Sequence, residues 1–234
     1  MRLDSYILQK GLTTSRNKAK ELIQNGKVLV DKKVVTKPSF IVEDVEIEIL
    51  QDIVYVSRAG YKLDGFLKDI DISIKDKVCL DIGSSTGGFV QVLLLNGAKE
   101  IVAVDVGTNQ LHESLKKELV VKSFENTNIK DFKSKKRFDV VTCDVSFVGV
   151  EAILNDIDRL SKEDIIILFK PQFEVGKDVK RDKNGVVKDK KAIEFAKRRF
   201  VSECFKFGWN IVSEKESVLK GKEGNVEIFY YFKK

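Results

Sequence analysis

The sequence predicts an α/β protein: a doubly wound, mainly parallel sheet preceded by a small α+β segment. Three observations carry that prediction. Apolar, strand-like runs alternate with helical patterns between residues 78 and 170, and most runs are apolar on both faces, as strands covered on each side by helices must be. Polar residues end four of those runs, namely Asp81, Asp105, Asp144 and Lys170, which places them on the rim of strand C-termini where such sheets bind ligands. Residues 1–50 have a different texture, two short helical patterns followed by short β-like runs. The expected organisation is therefore a small domain over 1–50, a linker over 51–57 and the sheet domain over 58–234.

Taken in order, Leu3, Ile7 and Leu8 have helical spacing, and Gly11 ends that helix. Thr14 or Ser15 caps a second helix through Ala19, Leu22 and Ile23, which Gly26 stops. Val28–Val30 and Val34-Val35 flank a charged turn at Asp31-Lys32-Lys33. Lys37-Pro38-Ser39 breaks the pattern, and Val45–Ile49 alternates like a half-buried strand. Ser57 precedes a helical pattern through Leu63, Phe66, Leu67 and Ile70, with Lys62 in its first two turns.

Strands are expected at 78–82, 101–106, 120–124, 138–144 and 165–170, and helices at 90–95, 111–119 and 150–160. Residues 174–191, polar and basic, read as a mobile loop. Ala192–Phe207 reads as a long helix, and Trp209–Val212 with Val226–Tyr231 as an antiparallel pair at the sheet edge.

The first strand carries the chemistry. It ends in Asp81-Ile82-Gly83 and passes through Ser84-Ser85-Thr86-Gly87-Gly88-Phe89 into a helix, which leaves free backbone N–H groups at a positive dipole end. The loop lacks the G-x-G-x-x-G of dinucleotide sites. Its Asp-x-Gly and small-residue loop fit S-adenosylmethionine better, with Asp105 at the tip of the next strand placed for ribose hydroxyls. The competing reading is a ligand-free αβ turn.

Composition narrows the alternatives. The 42 lysines and arginines against 36 acids give a net charge of +6, which mildly favours a polyanionic partner. With His112 as the one histidine, no Cys/His zinc cluster can be assembled, so no metal is expected. Cys79, Cys143 and Cys204 are far apart and read as reduced and buried. The N-terminal residues have no apolar core of signal-peptide length and no apolar run spans a bilayer, so a cytoplasmic protein without membrane insertion is expected.

Two resemblances follow from the motifs. Arg2-Leu3-Asp4, Ser15-Arg16-x-Lys18-Ala19, Gly26-Lys27-Val28-x-Val30 and Lys37-Pro38-Ser39 resemble the S4-like RNA-binding domain. That resemblance implies that Arg16, Lys18 and Lys20 present charge to RNA phosphates from the second helix, with Arg2, Lys27 and Lys37 beside them. Ser57-Arg58-x-Gly60-x-Lys62-Leu63, Asp81-x-Gly83-x-Ser85-Thr86-Gly87-Gly88-Phe89, Asp144-Val145-Ser146-Phe147, Lys170-Pro171-Gln172-Phe173-Glu174 and Gly224-Asn225-x-Glu227 resemble, in order, the TlyA (haemolysin A) family. That family is a branch of the FtsJ-type ribose 2′-O-methyltransferases, with a Rossmann-like methyltransferase sheet. Ala59 and Tyr61 stand where it often has Gly and Leu, and Ser217-Val218 where it usually has Ser-Pro.

Singly, Lys62, Asp144, Lys170 and Glu227 each have an ordinary explanation: a solvent-facing lysine, a turn cap, a paired lysine, an edge-strand acid. Together they resemble the Lys-Asp-Lys-Glu tetrad of the FtsJ type. The resemblance implies Lys170 as base toward a ribose 2′-OH, Lys62 positioning the ribose, Asp144 orienting Lys170, and Glu227 holding the lysines. A lysine is protonated up to about pH 10, so such a base needs surroundings that disfavour its charge.

The resemblance also places Gly83, Ser85, Gly87, Gly88, Phe89 and Asp144 around the methionine end of S-adenosylmethionine, Asp105 on its ribose and Asn128 near its adenine. The implied function is 2′-O-methylation of cytidine in ribosomal RNA of the large subunit, with the small subunit left open as a further substrate and ribosomal RNA or ribosomal subunits as partner. The alternatives are a non-catalytic RNA-binding protein and a membrane-lytic haemolysin. The sequence lacks the amphipathic or spanning segment a lytic protein needs. It also lacks the Asn/Asp-Pro-Pro-Tyr of base-amino methyltransferases, and Cys143 faces away from Asp144's side of its strand, against a cytosine C5 mechanism.

Overall fold

The computed structural model describes residues 1–50 and 53–234; residues 51 and 52, inside the expected linker, lie outside the described residues. Two compact units result, Met1–Val54 and Tyr55–Lys234.

In the first unit, α1 (Leu3–Gln9) and α2 (Arg16–Gln24) each place apolar residues four apart, Leu3 with Ile7 and Ala19 with Ile23. These stripes close over Val28, Val30 and Val42 to form its core. Ser15, not Thr14, caps α2: its Oγ accepts from the Lys18 N–H at 3.2 Å. Strands β1 (Val28–Val30), β2 (Lys33–Val34) and β3 (Ile47–Ile49) form an antiparallel sheet in the order β2-β1-β3. The β1–β2 turn is only Asp31-Lys32, both left-handed (φ +47° and +65°), as a two-residue type I′ hairpin requires. Lys33, expected in the turn, instead opens β2 opposite Val30.

The second unit is a seven-stranded sheet flanked by helices. Its elements are α3 (Arg58–Leu67), β4 (Val78–Ile82), α4 (Gly88–Leu95), β5 (Glu100–Val104), α5 (Glu113–Lys116), β6 (Val121–Phe124), β7 (Phe138–Cys143), α6 (Leu154–Leu160), β8 (Ser161–Phe169), α7 (Pro171–Glu174), α8 (Lys190–Lys206), β9 (Asn210–Glu216) and β10 (Ile228–Lys233). The strand order is β6-β5-β4-β7-β8-β10-β9, with only β10 antiparallel to β8 and to β9. The order reverses direction at β4, between β5 and β7, which makes the crevice over the C-terminal ends of these strands the ligand position of a doubly wound sheet.

The late antiparallel pair stands at the sheet edge as expected, with β10 inside, against β8, and β9 outermost. The reason is composition. Ile228–Phe232 is buried throughout, so it takes an interior place, whereas β9 carries Glu214, Lys215 and Glu216 and tolerates water. One face of the sheet packs Phe229 between Phe66 (4.6 Å between centroids) and Phe89 (6.0 Å).

Other expectations shift locally. The polar helix expected at 111–119 is only the four-residue α5, capped by the exposed His112, whose Nδ1 accepts from the Ser114 N–H. The stretch 174–191, expected as a mobile loop, is organised by Arg181, whose guanidinium donates to the carbonyls of Gln172, Gly176, Lys177 and Val179. The buried Asn225 side chain also accepts from the Val187 N–H at 3.0 Å. All three cysteines are buried and unpaired, as their apolar surroundings led one to expect.

Candidate active site

Three adjacent strands bring the candidate residues to one rim. Asp144 follows β7, its N–H donating to the Ile82 carbonyl at the tip of β4 (2.9 Å). Lys170 follows β8, and Glu227 precedes β10. Because Phe169 pairs with Ile228, the antiparallel register continues to Lys170 opposite Glu227. Lys62 comes from the second turn of α3. Lys62, Lys170 and Glu227 are all buried, at 8%, 8% and 3% exposure.

They form two ion pairs. Lys62 Nζ lies 2.6 Å from Glu227 Oε2. Lys170 Nζ lies 2.7 Å from Asp144 Oδ1, off the line of a good hydrogen bond, and donates to Ser146 Oγ at 2.7 Å. Gln172 Nε2 donates to the other Glu227 oxygen at 3.3 Å, so the Lys170-Pro171-Gln172 segment touches both pairs. Two buried cations with two anions are electrically balanced, which is what permits their burial. Gly221 is small for a steric reason: a Cβ there would lie 2.6 Å from Glu227 Oε1.

Sequence reasoning assigned no role to Ser146 or Gln172, although both stand in the motifs quoted for the family. The signal available was their adjacency to Asp144 and Lys170.

The loop after β4 lies against the same rim. Gly83 has φ +79°, and a Cβ on it would stand 2.9 Å from the Asp144 carbonyl oxygen, so only glycine lets the β4 and β7 tips close together. Gly87 has φ +98° and serves as the N-cap of α4. Gly88 faces the start of α3, where a Cβ would collide with Ser57 Oγ and the Gly60 nitrogen. The side chain of Phe89, expected beside a ligand, is 2% exposed and belongs to the core against Phe229. Only the main chain of Phe89 is left for a ligand.

Asp105 accepts from the Ser85 N–H (2.8 Å) on one oxygen and from the Gly107 N–H (2.6 Å) on the other. It therefore ties the β4 loop to the β5 loop. Asn128 is exposed, and its Oδ1 accepts from the Lys130 N–H at 3.0 Å. Behind the rim sits Asp81, 1% exposed. Its Oδ1 accepts from Thr142 Oγ1 at 2.7 Å, and its Oδ2 is buried without a partner. Burial, with the negative charges of Asp144 and Asp105 adding and the Thr142 hydrogen bond opposing, pushes its pKa up to about 7.

The residues matched to an FtsJ-like methyltransferase model are 55–234, three quarters of the sequence, and an S4-domain model matches 1–46. The chain belongs to the TlyA family of FtsJ-like methyltransferases. It is 49% identical to the 23S rRNA (cytidine-2′-O)-methyltransferase TlyA of Campylobacter jejuni over 99% of both chains. It is 37% identical to the 16S/23S rRNA (cytidine-2′-O)-methyltransferase TlyA of Mycobacterium tuberculosis, over 99% of this chain and 89% of that one. A solved structure described as a hemolysin from Streptococcus thermophilus superposes with a TM-score of 0.73 at 31% identity, covering 100% of this chain and 88% of the other. Hemolysin, for this TlyA-family chain, is thus a name shared with methyltransferases. No helix among the described residues is long and apolar enough to cross a membrane.

In the S4 unit, the basic residues are not equivalent. Asp4, fully buried, takes the guanidinium groups of both Arg2 (3.0 Å) and Arg16 (3.2 Å), and the hydrogen-bonded Arg2 leads in holding its carboxyl well below the usual range. Both arginines keep nearly half their side-chain surface exposed. Lys18 pairs with Glu21 on the same helix (3.2 Å). Lys20 and Lys27 are half-buried and Lys37 is exposed. Asp4 thus fixes two arginines on the α1–α2 face while cancelling part of their charge.

Proposed function

We propose that this chain methylates the ribose 2′-oxygen of cytidine in ribosomal RNA of the large subunit, using S-adenosylmethionine. The observation that carries the reading is the pair of buried ion pairs, Lys62–Glu227 and Lys170–Asp144, on the rim beside the Gly83 loop. Its support from relatives is the full-length similarity to two cytidine-2′-O-methyltransferases.

The residues present fit the cofactor. Asp81 Oδ2 is a buried acceptor lacking a donor, and the start of α4 offers the main-chain N–H groups of Gly88 and Phe89, those of Gly83, Ser85 and Gly87 being bonded to Val104, Asp105 and Ser84. In this reading Gly83, Ser85, Gly87, Gly88 and the main chain of Phe89 hold the methionine end with Asp144, Asp105 takes the ribose, and Asn128 lies by the adenine. Each Asp105 oxygen retains a lone pair beyond its loop hydrogen bond for a ribose hydroxyl. When bound, the cofactor supplies an electrophilic methyl group on a cationic sulfur.

The chain's own residues do the rest. Lys170, having released a proton to solvent and steered by Asp144 and Ser146, acts as the neutral amine and takes the proton from the 2′-OH as that oxygen attacks. Lys62, fixed by Glu227, positions the ribose, and Gln172 fixes Glu227 in turn. RNA phosphates are met by the S4 unit, through Arg2, Arg16, Lys18, Lys20, Lys27 and Lys37. Such a substrate places the protein in the cytoplasm with ribosomal subunits.

Transfer of a labelled methyl group to unmodified ribosomal RNA or subunits tests the proposal. Wild type should label RNA at cytidine 2′-oxygens and Lys170→Ala should not. No labelling by wild type would favour an RNA-binding role without catalysis.

A further inference from the structure

A second buried carboxyl on the rim takes no part in the chemistry above. Glu174, the last residue of α7, is 5% exposed, and its Oε1 accepts from the Val150 N–H at 2.8 Å. Val150 closes the loop that starts at Asp144 and carries Ser146. Besides the Lys170–Asp144 ion pair, three contacts join that loop to the segment after β8: Lys170 to Ser146, the Phe173 ring to the Phe147 ring (5.6 Å between centroids), and Glu174 to Val150. They run in step along both segments.

The far end is packed as well as bonded. Gly149 sits against the carboxyl so closely that a Cβ there would lie 3.0 Å from Glu174 Oε2. Arg199 of α8 straps the same corner, donating to the Glu174 carbonyl (3.0 Å) and pairing with Glu151 (2.8 Å). Between the two ends, Phe147 holds φ +68°, a left-handed conformation that costs a bulky residue on the order of 1–3 kcal/mol. A loop under such strain relaxes unless both ends are held. The near end is held by the Asp144 N–H on the Ile82 carbonyl and the far end by Glu174.

We propose that Glu174 is a positioning residue for methyl transfer: by clamping Val150 it fixes the 144–150 loop so that Asp144 and Ser146 stay on Lys170 Nζ. The inference rests on the reading of Lys170 as base. Glu174 itself touches neither reactant. Burial raises its pKa to about 7, with Glu151 adding and the Val150 N–H and Arg199 opposing, so near neutral pH an amide of the same shape is a close stand-in.

The test compares wild type with Glu174→Ala, Glu174→Asp, Glu174→Gln and Lys170→Ala. It measures kcat and KM on ribosomal RNA, S-adenosylmethionine affinity, and deuterium exchange of the 146–150 amides. Misplacing a catalytic group by about 1 Å costs up to about 100-fold. Glu174→Ala should therefore lose about 10- to 100-fold in kcat, with RNA KM and cofactor affinity within about threefold. Glu174→Gln, which keeps Oε1 as acceptor, should stay within about threefold of wild type.

Glu174→Asp, too short to reach Val150, should behave like Glu174→Ala and serves if the alanine variant does not fold. Amides 146–150 should exchange faster in Glu174→Ala and Glu174→Asp but not in Glu174→Gln. The clamp is overturned if kcat stays within about twofold in the shortened variants, if Glu174→Gln is as slow as they are, or if exchange at 146–150 does not change. An inactive wild type would refute the methyltransferase reading instead, and the exchange data alone would then decide the clamp.

Discussion

Replacing Asp81 by asparagine should stabilise the sheet unit at alkaline pH more than at acid pH. In the folded protein the Asp81 pKa is raised from 3.8 to about 7, chiefly by burial, so the folded state binds this proton more tightly than the unfolded chain. Stability from the protonated form is complete below about pH 4 and is lost as pH rises to about 7, in total on the order of 4 kcal/mol. Asparagine keeps Oδ1 as acceptor for Thr142 but puts Nδ2 where Oδ2 has no partner, a penalty of about 1–3 kcal/mol that does not vary with pH.

The diagnostic quantity is therefore the change in the gap. Between pH 5 and pH 8.5 it should move about 2–3 kcal/mol in favour of Asp81→Asn. Glu174 titrates in the same range but does so in both proteins, so it cancels. Urea unfolding followed by Trp209 reads the correct unit, since that residue is the one tryptophan of the chain and is 1% exposed within it. A gap that is equal at the two pH values would refute the burial argument.

Other outcomes follow from the same geometry. Gly83→Ala should abolish S-adenosylmethionine binding in equilibrium dialysis, because the new Cβ meets the Asp144 carbonyl and the residue is left-handed. Phe229→Ala should cost about 3–5 kcal/mol in urea unfolding, since it empties the space between Phe66 and Phe89. Replacing Lys20, Lys27 and Lys37 together by alanine should weaken RNA binding without sequence preference. It should also flatten the slope of log affinity against log salt by about 2 if all three contact phosphate.

Much of the fold was legible because burial on both faces leaves its mark in unbroken apolar runs. Ile101–Val104 and Ile165–Phe169 could be read directly, and so could Asp105 and Lys170 at their ends, whereas Asp81 interrupts Val78–Ile82 and lies buried behind the rim. Which member of the edge pair lies inside was not legible, because strand order is decided by nonlocal pairing, and only Ile228–Phe232 opposite Ile165–Phe169 reveals it. The roles of Ser146, Gln172 and Glu174 were equally hidden: each is an ordinary polar residue until Lys170, Glu227 and Val150 arrive from elsewhere in the chain.

The basic residues of the first unit carry the converse lesson. Arg2 and Arg16 looked like free charge, but a buried Asp4 between them can be seen only once α1 and α2 are packed. Phe89 likewise read as part of a ligand loop, and its side chain went to the core because the first turn of α4 faces Phe229.

The most direct measurement is ribose-methylation mapping, by resistance to alkaline cleavage, on ribosomal RNA from cells that carry wild type, Lys62→Ala, Lys170→Ala or no copy of the chain. At least one cytidine should be protected only with wild type. Protection that persists with Lys170→Ala, or is absent with wild type, would contradict the proposed function.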